Sequence, residues 1–186
     1  MARWEPNAEG RLRDAAMELF LQRGYEQTTV ADIAERAGLT SRTFFRYFAD
    51  KREVLFARSD ELQQALVDAV QGAPGDASPM VAVAAALDTA ATMIGTNREH
   101  SRSRQAVIDS SAELRERELI KLASLASALA DGLRRRGVPD PQAGLAAETG
   151  IAVLRVAFPQ WIQAPAERPL ADVMRESLAD LTALVA

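Results

Sequence analysis

The chain has 186 residues, of which 48% are hydrophobic, enough to bury a core, and its net charge of −4 argues against a generally basic nucleic-acid-coating protein. It has no cysteine, which excludes disulfides, thiolate metal sites and a cysteine nucleophile. The longest apolar run, residues 80–87, falls well short of the roughly 20 residues of a membrane helix, and residues 1–10 are polar without a signal-peptide pattern, so a soluble, cytoplasmic protein with no membrane partner is expected.

Charge is unevenly spread. Residues 1–60 carry ten Lys or Arg and ten Asp or Glu, whereas residues 61–186 carry twelve and sixteen. Any attraction for a polyanion must therefore be local, and Arg42, Arg46, Lys51 and Arg52, opposed nearby by Asp50 and Glu53, form the candidate patch.

In chain order, residues 1–9 read as a polar tail, whose Arg3 either reaches a phosphate or minor groove in a complex or makes no contact. Over 9–23, Leu12, Ala15, Ala16, Leu19 and Phe20 make an apolar stripe that Gly24 ends, with Tyr25 packing back. Thr29, with Asp32 three residues on, signals the start of a short helix near Val30, whose apolar residues Val30, Ile33, Ala34 and Ala37 recur at helical spacing. Gly38 stands where a left-handed C-terminal cap needs a residue without Cβ. Thr40 caps a second short helix over 41–48, which sets Phe44 and Phe48 on one face and Arg42 and Arg46 opposite them. The pair reads as a helix-turn-helix: one face anchors the second helix, and the other is free for an anionic surface such as the DNA major groove.

A longer helix is predicted from Asp50 to about Gln71, with Val54, Leu55, Leu62, Leu66, Val67 and Val70 at helical spacing. Two glycines and two prolines in 72–79 make a loop that separates helices rather than domains. Helices follow over 80–95, 99–110 and 112–136, the last stopped by Gly137 and Pro139. Pro141 opens another to about Ile162, and Pro169 a final one with Leu170, Val173, Met174, Leu178, Leu181 and Leu184 in its stripe. No strand pattern or repeat is visible. The fold class is all-α, with about nine helices.

Residues 13–57, RDAAMELFLQRGYEQTTVADIAERAGLTSRTFFRYFADKREVLFA, resemble the DNA-binding domain of the TetR family of bacterial transcriptional regulators. Phe20, Gly24, Thr28, Thr29, Ile33, Ala34, Ala37, Gly38, Phe45, Phe48 and Lys51 fall on that family's pattern. Arg46 followed by Tyr47 departs from it, since an aromatic followed by His is common there, so the Tyr47 hydroxyl would have to replace a histidine contact to phosphate. The stretch from Arg104 to Leu133, with the later Trp-ended helix, is more loosely similar to the C-terminal domain of an actinobacterial subgroup of TetR-type regulators.

The resemblance implies a DNA-binding domain over 1–58 and a helical effector-binding and dimerisation domain over 59–186. It implies that Thr29, Thr40, Thr43, Tyr47 and Lys51 sit on phosphates, and that Ser41, Arg42, Phe45 and Arg46 meet base edges. It further implies a repressor and a homodimer on a palindromic operator, with half-sites roughly 34 to 36 Å apart. A small, largely apolar effector is expected between helices 60–161, against Leu62, Leu66, Met93, His100, Arg104, Ile108 and Trp161. The dimer is expected to form through the last two helices, at Leu154, Phe158, Val173, Met174, Leu178 and Leu181, because the apolar residues of 151–162 cannot share one stripe.

Other readings stand at this stage. Trp161 is either a lid over a pocket or a core or dimer aromatic; His100 is either a surface residue or a ligand contact. The cluster of Arg102, Ser103 and Arg104 either binds an anion or is solvated. With a single histidine and no phosphate-binding Gly-rich loop, no metal site, no cofactor and no enzymatic activity are expected. A helical small-molecule carrier would share the C-terminal half, but gives no reason for arginines opposite Phe44 and Phe48.

Overall fold

The computed structural model describes residues 7–164 and 168–184, so Arg3 lies outside the described residues. Among them are nine α-helices and no strand: α1 (Ala8–Arg23), α2 (Val30–Arg36), α3 (Ser41–Tyr47), α4 (Ser59–Gly72), α5 (Pro79–Ile94), α6 (Arg98–Asp109), α7 (Ala112–Arg135), α8 (Asp140–Gln163) and α9 (Leu170–Leu184). No single helix among the described residues is long and apolar enough to cross a membrane.

Helix ends follow local chemistry. Asn7, itself in the left-handed region, caps α1 by accepting from the Gly10 amide, and Ser78 caps α5 ahead of Pro79, whose missing N–H costs nothing in the first turn. The α8 C-terminus is capped from a distance. Arg102 donates twice to the Ile162 carbonyl, at 2.9 and 2.6 Å, and Arg98 donates to the Ala164 carbonyl at 2.9 Å. These guanidiniums satisfy carbonyls that lack helical partners and sit at the negative end of the helix dipole. Arg102 is therefore a structural cap rather than the start of an anion site.

The predicted helix from Asp50 is interrupted. Asp50 accepts from the Arg52 and Glu53 amides at 2.8 and 3.3 Å, and a 3-10 turn over Arg52–Phe56 follows before α4 begins at Ser59. The reason lies in two cores. Val54, Leu55 and Phe56 enter one apolar cluster, while Leu66 and Val70 enter another, and a continuous stripe could not serve both.

Two compact units result: residues up to Ala57 with Ser103–Glu118, and Arg58–Arg102 with Leu119–Ala186. The first is not the consecutive segment 1–58. Its core joins Leu12, Phe20, Ile33, Phe44 and Phe48 to Val107, Ile108 and Leu114, so the end of α6 and the start of α7 complete it. Ion pairs surround this elbow: Glu53 with Arg117 at 2.6 Å, and Arg52 with Glu113 at 3.0 Å. Arg104 donates to the Leu55 carbonyl at 2.8 Å, lies over the Phe56 ring and faces Glu118 at 3.7 Å. Burial pushes its pKa down and Glu118 opposes that shift.

In the second unit, α4 packs on α5, and α5, α8 and α9 pack on one another. Gly150 permits the close approach of α5 and α8, because a Cβ there would stand 2.7 Å from Val83 Cγ1. Leu154, Val173 and Met174, expected in a dimer contact, are instead buried in this unit's own core, and Phe158, Leu178 and Leu181 pack half-buried against it. The excess apolar surface of α8 that suggested a dimer is first used within the protomer.

Because Ile108 is fully buried among the residues that anchor α3, Ile108→Ala should cost about 2 to 5 kcal/mol in urea unfolding. Leu119→Ala, on α7 and exposed, should cost less than about 0.5 kcal/mol.

Candidate nucleic-acid interface

The α2–α3 turn is set by short-range bonds. Thr29 Oγ1 accepts from the Asp32 amide at 3.2 Å, and Asp32 accepts from the Thr29 amide at 2.8 Å, a complete capping box. At the other end, the Leu39 amide reaches back to the Ala34 carbonyl at 2.8 Å through Gly38, whose φ of 66° is the left-handed conformation expected of it. Arg11 of α1 donates to the Ala37 carbonyl, closing the turn from outside. Thr40 then caps α3 by accepting from the Thr43 amide at 3.2 Å.

On α3 the two faces separate as the sequence predicts. Phe44 is 0% exposed and Phe48, the residue that ends the helix in extended conformation, is 4% exposed, their ring centroids 5.2 Å apart. Arg42, Phe45, Arg46 and Tyr47 are exposed, and Ser41 and Thr43 half-buried. Arg42 makes no hydrogen bond or ion pair among the described residues. Phe45 is 57% exposed, its ring edge-on to Phe44. Arg46 donates to the Tyr47 hydroxyl at 3.0 Å and lies over its ring, which leaves the phenolic proton free to donate outward.

The flanking groups are more committed than the sequence indicates. The Thr29 hydroxyl donates to Asp32 at 2.6 Å, so a phosphate would compete with that carboxylate for its proton. Lys51 donates to the Tyr25 carbonyl at 2.8 Å and rests over the Tyr25 ring, 3.9 Å from its centroid, keeping two of its three protons for another acceptor. Arg52 leaves the expected basic patch, since Asp50 and Glu113 both pair with it. Tyr25 itself donates to Glu113 at 3.4 Å; burial, and then that carboxylate, push its phenol pKa upward.

The residues expected around an effector divide between the two units. Leu66 and Trp161 lie in the core of the second unit, with Leu62 packed at its edge and Met93 half-buried. Arg104 and Ile108 belong to the first unit, and His100 is exposed. An open cavity of about 370 Å³ exists in the second unit, lined among others by Ala91, Gly95, Trp161 and Leu170, with Arg98, which caps α8, and Arg168, which pairs with Glu176. Of the predicted set only Trp161 lines it. The others were chosen by helical spacing, which gives a residue's face but not the neighbour that the face meets. Among the described residues no group of acidic, histidine or cysteine side chains is arranged to hold a metal.

Residues 12–57 match the family model for bacterial regulatory proteins of the tetR family, and residues 77–186 match that of the MftR C-terminal domain. The transcriptional regulator TcmR of Streptomyces glaucescens is 42% identical over 71 residues, 38% of this chain and 31% of its own length. The chain thus matches only about a third of that curated relative. Solved structures align nearly end to end at low identity. SmeT of Stenotrophomonas maltophilia, bound to triclosan, is 21% identical with a TM-score of 0.65, covering 93% of this chain and 90% of that one. FadR of Bacillus subtilis in complex with stearoyl-CoA is 19% identical with a TM-score of 0.59, covering 91% and 95%.

The Thr29 hydrogen bonds hold the Asp32 carboxyl down to about 2. A carboxyl depressed on folding stabilises above its unfolded value near 4 and loses that contribution as pH falls toward 2. Asp32→Asn should therefore lower the thermal midpoint at neutral pH, and the difference from the parent should shrink between about pH 4 and pH 2. A pH-independent difference would remove the capping carboxylate as its cause.

Proposed function

The chain belongs to the TetR family of bacterial transcriptional regulators, and from that premise we propose that it is a dimeric cytoplasmic repressor, released from a palindromic operator by a small, largely apolar effector. The observation that carries the DNA reading is α3 itself. A helix fixed by buried Phe44 and Phe48 turns outward an arginine with no hydrogen bond or ion pair among the described residues, an exposed phenyl ring and an Arg46–Tyr47 pair. Such a helix fits the major groove.

In this reading Arg42 contacts a guanine bidentately, flanked by Ser41, while Phe45 and Arg46 meet neighbouring base edges. Thr40, Thr43, Tyr47, Lys51 and the α2 start at Thr29 bear on phosphates. The cavity walled by Trp161 and Leu170 supports an apolar effector in the second unit. The triclosan of the SmeT structure and the stearoyl chain of the FadR structure agree with an apolar effector. Helices α6 and α7 each have residues in both units, so they offer a covalent route by which an effector shifts the population of DNA-competent conformations. The homodimer reading now rests on the outer face of α8, where Leu145 is 70% and Val156 54% exposed, instead of on Leu154.

Selection from a random duplex library at near-physiological salt should return a palindrome; a folded protein that enriches nothing would displace the DNA reading. Arg42→Ala should relax preference at one position of each half-site, a loss of about 1 to 3 kcal/mol in discrimination. Equal loss on all sequences would make Arg42 a phosphate contact. Lys51→Ala should weaken every sequence alike and lower the slope of log affinity against log salt by about one.

A further inference from the structure

Helix α8 has a second face that its own protomer leaves bare, and its charges are arranged with a symmetry that a helix facing water does not need. Stepping about 100° per residue places Leu145, Thr149, Ala152, Val156 and Pro159 within about 40° of one line along the helix. Leu145, Ala152, Val156 and Pro159 are exposed and Thr149 is half-buried. Glu148 and Arg155 lie together about 60 to 80° to one side of that line, both exposed. Neither makes a hydrogen bond or ion pair among the described residues. They are seven residues apart, two helical turns, so they occupy the same flank with opposite sign.

When two copies of one helix pack antiparallel about a two-fold axis, each flank meets the same flank of its mate, and residue pairs match when their numbers share one sum. About an axis at Ala152, Leu145 meets the mate's position 159, Ala152 meets itself, and Glu148 comes beside the mate's position 155. A parallel pairing would instead turn each flank toward the opposite flank of the mate, so Glu148 and Arg155 would not meet their images. The small side chain at position 152 lets the backbones approach where the axis passes.

We propose that the dimer forms by antiparallel self-pairing of α8 about Ala152, with Glu148 of each protomer paired to Arg155 of the other. This rests on the homodimer reading above and adds its register. The occupant of the stripe is a second copy, because the charges beside it complement their own two-fold image.

Sedimentation of the full chain at about 50 mM salt, where flanking charges are least screened, tests it. Glu148→Arg and Arg155→Glu should each raise the dimer dissociation constant about tenfold, since each places two like-charge contacts in the interface. The double exchange, Glu148→Arg with Arg155→Glu, should return it to within about threefold of the parent. The protein has no cysteine, so a single thiol reports the axis directly. Oxidised Ala152→Cys should crosslink as a dimer, whereas Leu145→Cys, about 21 Å from its own image, should not. A parent protein that sediments as a monomer removes the dimer reading and the register together. A parent dimer indifferent to both charge reversals, or crosslinked equally through either cysteine, keeps the dimer and overturns the register.

Discussion

The burial of Phe44 and Phe48 is the constraint on which the exposed chemistry depends. Helix α3 is seven residues long, too short to persist in water on its own, so it exists because one of its faces is held in a core. That core comes from residues distant in sequence, Leu12 and Phe20 from α1 and Ile33 from α2. Since phenylalanine rings hold it without hydrogen bonds, the opposite face is free to carry guanidiniums whose donors are not needed for folding. Gly38 and the Arg11 contact fix where the helix begins, and Thr40 fixes its first turn.

The elbow of α6 and α7 shows how apolar and ionic contacts divide the work. Glu53–Arg117 and Arg52–Glu113 are partly exposed pairs, with side-chain exposures of 19 to 48%, and such pairs contribute little each. Val107, Ile108 and Leu114 are buried, and they hold the elbow in the unit that carries α3. The ions set register: Glu113 reaches Tyr25 and Arg52 together, and Lys51 joins Tyr25 from its other side. Residues bearing on α3 are thereby tied to helices whose other ends build the second unit.

Helix α8 answers two demands at once. Ile151, Leu154, Ala157 and Trp161 point into its own unit, while Leu145 and Val156 remain bare. A helix apolar on two faces is under pressure to bury both. Alanine and glycine dominate the inner side, as Ala143, Ala146, Ala147 and Gly150, which lets α5 approach closely and leaves the bulkier Leu145 and Val156 outside.

What the sequence determined by itself was local. The capping box at Thr29, the left-handed Gly38, the cap at Thr40, the two faces of α3 and most helix ends depend on residues at most five positions apart, and spacing reveals these directly. Helical spacing without a strand pattern carried the fold class, and the resemblance carried the family, because the helix-turn-helix pattern is dense in such short-range signals. Tertiary structure alone decided the rest. Position in the fold sent Val54, Leu55 and Phe56 to one core and Leu66 to another, which broke the predicted helix after Asp50. It also assigned Arg104 and Ile108 to a different unit from Trp161, turned Leu154 and Met174 inward, and took Arg52 out of the basic patch. Each of these outcomes turns on a partner far along the chain, as with Tyr25 and Glu113, 88 residues apart. Periodicity assigns a side chain to a face of its helix, but only packing decides what that face meets.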